Sequence, residues 1–174
     1  MAASLRGGKH SLVLLGNVAG RHASYTAVRA LASAIAELTG AKLGSLSEGP
    51  NSAGAHLAGV LPHRRQGGEN RDKTGLDVAR VLTTPMDAVV LVNVEPDVDI
   101  RVSDDPVVAL AAQPSVIALT PYVSDALLEC ADILLPSGTF AETSGTFVNV
   151  EGEWQSFAGV ATPVGESRPT WKIL

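Results

Sequence analysis

The chain has 174 residues, 45% of them hydrophobic, 18% charged and 4% aromatic, with a formal net charge of −5. That apolar content and weak net charge exclude intrinsic disorder, and the length is enough to enclose a hydrophobic core. No run of about 18 apolar residues is present and the apolar stretch near the N-terminus is short, so neither a spanning helix nor a signal peptide is expected.

In chain order, Ser11 to Leu15 is a continuous apolar run closed by Gly16 and Asn17, the pattern of a strand buried on both faces. From Ala23 the apolar positions Ala27, Leu31, Ile35 and Leu38 recur at helical spacing, and Gly40 supplies the stop. Ala41 to Leu46 reads as a second strand, which completes a right-handed βαβ unit. A short helix is expected within 51–60, ending near Gly59. The stretch Pro62 to Thr74 has no periodicity and two adjacent glycines, and marks a flexible loop at about 63–74.

Asp77 to Leu82 predicts two helical turns. Ala88 to Val92 predicts a buried strand, and Ser103 or Asp104 is placed to cap a helix running to Ala112. Ser115 to Leu119 is the next strand, Ser124 caps a helix through Glu129, and Asp132 to Leu135 is a last short strand. The segments 146–150 and 153–157 flank Glu151-Gly152 as a hairpin. Ser167 is placed as the N-cap of a final helix, with Pro169 in its first turn. About one turn remains before Leu174, and a helix that short is marginal in water. The expectation is a piece of a longer protein. The class is α/β: an open, mostly parallel sheet with helices on both faces, plus a C-terminal β-hairpin, in one domain over 1–174.

Charge is unevenly placed. Residues 1–80 carry ten Lys/Arg against five Asp/Glu, and residues 81–174 carry three against thirteen. With no aromatic-interleaved basic patch in the acidic half, nucleic acid is not an expected partner. The phosphate-binding G-x-x-x-x-G-K-[ST] loop, G-x-G-x-x-G, G-x-S-x-G and H-E-x-x-H are all missing, so no catalytic residue is assigned. One cysteine, Cys130, excludes an internal disulfide and a Cys-rich iron–sulfur site built by these residues alone, and reads as a buried small hydrophobe. His10, His22, His56 and His63 lack metal-ligand spacing, and no metal site is expected. Glu95, Asp97, Asp99, Asp104 and Asp105 are the densest acidic cluster, without the central Gly and terminal Glu of a calcium loop. A solvated loop leading into a helix is the favoured reading. Gly16-Asn17 after the first strand and Asn93-Val94-Glu95-Pro96 after the third sit where ligands bind in open α/β sheets, though small residues are equally expected at a sharp strand-to-helix turn.

Two stretches resemble a known family. Cys130-Ala-Asp-Ile-Leu-Leu-Pro-Ser-Gly-Thr-Phe-Ala-Glu-Thr-Ser-Gly-Thr-Phe-Val-Asn-Val-Glu-Gly-Glu-Trp-Gln155 resembles the signature of the molybdopterin oxidoreductase superfamily, with Asp132, Pro136, Glu142, Gly145, Asn149 and Gly152 at its recurrent positions. Leu14-Leu-Gly-Asn17 and Gly49-Pro-Asn-Ser-Ala-Gly54 resemble one branch, the large iron–sulfur subunit of bacterial NADH–quinone oxidoreductase, respiratory complex I. Locally, Pro136 ends a strand, Gly145 permits a tight turn before the hairpin and Gly152 makes the hairpin turn. The family often has Arg where Glu153 stands.

The resemblance implies a structural segment without a cofactor of its own. Its parent carries iron–sulfur clusters elsewhere and passes electrons from NADH to quinone, coupled to proton translocation. The implied partners are the rest of that large iron–sulfur subunit and other peripheral-arm subunits of complex I. The implied location is the cytoplasmic side of the bacterial inner membrane, without direct insertion. Gly16, Asn17, Asn93, Glu95 and Pro96 would then form a vestigial pocket. The alternative is a pterin-dinucleotide-binding segment of a molybdenum oxidoreductase such as a formate dehydrogenase or nitrate reductase. A stand-alone nucleotide-binding α/β protein is disfavoured by the short C-terminal helix.

Overall fold

The structure, a computed structural model, describes residues 2–20, 22 and 24–174. They form two compact units, residues 1–54 with 148–153, and residues 55–147 with 154–174.

The first unit opens with α1 (Ala2–Gly7), then β1 (Leu12–Leu15), α2 (Asn17–Gly20), α3 (Tyr25–Thr39) and β2 (Lys42–Ser45). β1 and β2 are parallel, with Leu12 opposite Lys42 and Leu15 opposite Ser45, and α3 is their crossover. Gly40 ends α3 at φ 72°, the left-handed turn that glycine enters without steric cost. The start expected at Ala23 lies outside the described residues.

Two expectations about this unit are corrected. The buried residues of α3 are Ala32 and Ala36, with Val28 half-buried on the same stripe, whereas Leu31 and Leu38 are 66% and 74% exposed. Alanines let a helix axis approach a sheet more closely than leucines do, so the small-residue stripe faces inward and the leucines face out. Nor is β1 buried on both faces. Leu12 and Leu14 are half exposed or more, while Val13 and Leu15 are half-buried. A two-stranded sheet crossed by one helix has only one face to cover.

Helix α4 (Ser52–Ala58) leads into the second unit, ending at Gly59 (φ 79°) as the sequence predicts. The stretch 61–74 folds on itself: Arg64 bridges Leu61 and Asn70, a 3-10 turn spans Gln66–Gly68, Arg65 pairs with Asp72 at 3.1 Å, and the Arg71 side chain donates to the Arg64 carbonyl. Next come α5 (Val78–Thr83), β3 (Val89–Val92), α6 (Pro96–Asp99), α7 (Pro106–Ala111), β4 (Val116–Thr120), α8 (Asp125–Cys130) and β5 (Ile133–Pro136). The strands form a parallel sheet in the order β3-β4-β5, flanked by helices. Val89, Leu91, Val116 and Ala118 pack with Leu82, Leu110, Leu127 and Cys130 from the helices into one core. The strands β6 (Gly145–Val148) and β7 (Trp154–Phe157) form the expected C-terminal pair.

Side-chain caps set the helix starts. Asp77 accepts from Arg80 N–H at 2.9 Å, and Ser124 accepts from Leu127 N–H at 3.3 Å. The cap of α7 is Asp105, which accepts from Val108 N–H at 3.0 Å, and not Ser103 or Asp104. Pro106 at the first helical position shifts the start: its ring suits N1, where no N–H is needed. At the C-terminus Ser167 caps no α-helix. A 3-10 turn spans Thr170–Lys172, and the Ser167 hydroxyl donates to the Val164 carbonyl instead.

Candidate functional site

The carboxyl edge of the β3-β4-β5 sheet gathers the polar groups of the second unit where an open α/β sheet binds its ligands. Asn93 leaves β3 at φ 52°, in the left-handed region that asparagine tolerates better than most residues. Its N–H donates to the Leu119 carbonyl at 2.8 Å and extends the ladder by one rung. Ser137 leaves β5 and is 1% exposed; its N–H donates to the Thr120 carbonyl at 3.0 Å. The Ser137 hydroxyl donates to Asn93 Oδ1 at 3.0 Å, tying the two outer strands across the end of β4. The Thr120 hydroxyl, also buried, donates to the Tyr122 carbonyl at 2.6 Å and accepts from Tyr122 N–H at 3.2 Å. Among the described residues no buried side-chain nitrogen or oxygen lacks a partner.

The sequence-derived pocket residues fall into both units. Asn93, Glu95 and Pro96 stand together at this edge: Glu95 precedes α6, its N–H donates to Asp99 Oδ2 at 2.9 Å, and Pro96 is buried at the first position of α6. Gly16 and Asn17 belong to the first unit, after β1. There the Gly16 carbonyl accepts from Ala19 and Gly20 N–H groups, and Asn17 is an exposed residue opening α2.

Of the acidic cluster, Asp99 and Asp105 accept local backbone N–H groups, and no group of three His, Cys, Asp or Glu able to hold a metal occurs among the described residues. His10, His22, His56 and His63 are all exposed, with His22 Nδ1 accepting from Ser24 N–H at 3.0 Å. Cys130 is 6% exposed, and burial pushes its thiol pKa up, which disfavours the thiolate a nucleophile needs.

The six positions that carry the resemblance all have local folding roles. Asp132 accepts from Val116 N–H at 2.7 Å and so begins β4. Pro136 closes β5 opposite Thr120. The Glu142 carboxylate accepts from Thr139 N–H at 2.8 Å in a capping box. Asn149 Oδ1 accepts from both Glu151 and Glu153 N–H at 3.0 Å, which shapes the hairpin turn, and Gly152 supplies its φ of 86°. Glu153 accepts a long 3.4 Å bond from Asn149 Nδ2. Gly145 corrects its expected part: it lies inside β6 without a positive φ, and a Cβ there would sit 2.9 Å from the Phe157 ring. Its role is room for that ring, which meets Phe147 edge-on at 4.8 Å.

Two structural residues carry no signal of their own in the sequence patterns. Asn51 Oδ1 accepts from Val148 N–H at 2.8 Å, joining positions 97 apart, and Gly54 is the glycine that leaves space for the Asn51 side chain. Ser137 sits directly after Pro136. Both lie within the two stretches that carry the resemblance, and that is the signal by which they could be found.

No helix among the described residues is long and apolar enough to cross a membrane. The model of the molybdopterin oxidoreductase family matches residues 1–174, the whole chain. No curated protein sequence matches it.

Proposed function

The chain belongs to the molybdopterin oxidoreductase family, and within it we propose a structural role: a non-catalytic segment of the large iron–sulfur subunit of a bacterial NADH–quinone oxidoreductase. One observation carries the reading. The six signature residues from Asp132 to Gly152 are each engaged in a cap, a strand end, a turn or a packing contact. The carboxyl edge supports it. Asn93 Oδ1 and the Ser137 hydroxyl are bonded to each other and the Thr120 hydroxyl to the Tyr122 backbone, so among the described residues this edge offers a pterin dinucleotide no orphaned buried side-chain donor. On that ground these residues fit the pterin poorly, and no chemical step is assigned to it.

In this proposal the chain takes no cofactor itself. Its neighbours are the rest of the large subunit and the peripheral arm of the complex, on the cytoplasmic face of the inner membrane, and the iron–sulfur clusters reside in the parent. The experiment is elemental analysis of the purified chain together with acid release of fluorescent pterin. The expected result is neither molybdenum nor pterin, with no NADH–ferricyanide reductase activity. Stoichiometric pterin would replace this reading with the segment of a molybdenum oxidoreductase.

A further inference from the structure

The first unit contains a cavity of about 440 Å³ lined by Tyr25, Thr26, Arg29, Ala30 and Ser33 of α3 and by Leu43 of β2. Tyr25, Arg29 and Ser33 are spaced four apart and form one stripe of the helix; Thr26 and Ala30 form the next. The volume lies in the range of small-molecule sites, about 300–1,000 Å³. Its chemistry is one-sided. Among the described residues the lining holds one guanidinium and three hydroxyls over an apolar wall of Ala30 and Leu43, and no carboxylate. Among the described residues no ion pair or side-chain hydrogen bond engages Arg29, Tyr25, Thr26 or Ser33, whereas Arg64, Arg65 and Arg71 in the second unit all have such partners. An arginine with a free planar fork, beside hydroxyl donors, is suited to bidentate capture of an oxyanion.

We propose that this cavity binds a small organic anion, with its phosphate or carboxylate on Arg29 and the Ser33 hydroxyl one helical turn away, and its apolar body against Ala30 and Leu43. The site is separate from the carboxyl edge of the second unit and does not depend on the structural role proposed above. Carboxylate and phosphate monoester share the recognising chemistry, so the probes are benzoate, phenyl phosphate and inorganic phosphate.

Titrations of the full chain, followed by backbone amide resonances, provide the test. Phenyl phosphate or benzoate is expected to give saturable shifts at Arg29, Ser33 and Leu43 and to bind more tightly than inorganic phosphate, which lacks the apolar body. Arg29→Gln is expected to weaken binding by about tenfold or more, since a charge-assisted bidentate contact is lost, and Arg29→Lys by less. Ala30→Phe, which fills the cavity from an exposed helix position, is expected to abolish binding while leaving the far-ultraviolet circular dichroism intact. Saturation by only one organic probe supports the proposal and identifies the anion class. No saturable shift with either organic probe overturns it. So does an affinity unchanged by both Arg29→Gln and Ala30→Phe.

Discussion

The two parallel sheets have nearly interchangeable strand sequences, Leu-Val-Leu-Leu in β1 and Val-Val-Leu-Val in β3, yet their surroundings differ. In the three-stranded sheet β3 has Val89 and Leu91 buried, the middle strand β4 has Val116, Ala118, Leu119 and Thr120 buried, and the helices contribute Leu110 at 1% and Leu127 at 0% exposure. In the two-stranded sheet no strand residue is buried, and α3 covers it with only Ala32 and Ala36 buried. Strand hydropathy is therefore not what sets burial. A middle strand has neighbours on both edges, and several short helices converge on its sheet. A strand pair with one crossover helix has neither.

The sharpest way to break this comparison is a pair of leucine truncations. Leu127→Ala in α8 removes a fully buried side chain and is expected to destabilise the protein by about 2–5 kcal/mol. Leu31→Ala on the outward face of α3 is expected to cost less than about 0.5 kcal/mol, as for most exposed positions. Urea unfolding of both variants reads the difference directly, and equal losses would mean that Leu31 is covered. Hydrogen exchange sharpens it further, with amides of β4 expected to outlast those of β1.

The next effect concerns the link within the first unit between Asn51 and Val148. Asn51→Ala leaves the N–H of Val148, a residue only 3% exposed, without its acceptor, at an expected cost of about 1–3 kcal/mol. Asn51→Asp keeps an acceptor oxygen and should lose less in the same thermal or urea measurement. If the two variants lose equally, the bond to Val148 is not what Asn51 contributes.

The smallest effect is a pH dependence in the second unit. Burial raises the Cys130 thiol pKa, so the folded state prefers the neutral form. The stabilisation is fully present below the unfolded thiol value of about 8.5 and is lost as pH rises through the higher folded value. Unfolding free energy measured above about pH 8.5 should therefore fall more steeply in the parent than in Cys130→Ala. Parallel slopes would show that the thiol titrates alike in both states.

Much of the site is legible in the sequence because it depends on local chemistry. The Ser124 cap, the glycine turn at Gly152 and the strand end at Pro136 follow from what those side chains do within three or four residues. The corrections share a different cause. Asp105 replaces Ser103 and Asp104 as cap because Pro106 pins the first helical position one residue later. Sequence points to backbone freedom at Gly145, while its function is to admit the ring of Phe157, twelve residues away. The bond between Ser137 and Asn93 spans 44 residues and leaves no periodicity in the chain.

The sequence by itself determined the alternation of strands and helices, the parallel βαβ connectivity, the hairpin and the positions of most turns. Those depend on hydropathy period, capping and φ preference, all of which act over a few residues. Only tertiary structure decided which stripe of α3 turns inward, because alanine and leucine stripes have the same period and differ in how closely a sheet can approach. It also decided that five parallel strands divide into a pair and a triplet, since hydrogen-bonded edges join strands far apart in sequence. And it decided that the Ser137 hydroxyl meets Asn93 Oδ1 and the Ser137 N–H meets the Thr120 carbonyl, because these residues become neighbours only when three strands stand side by side.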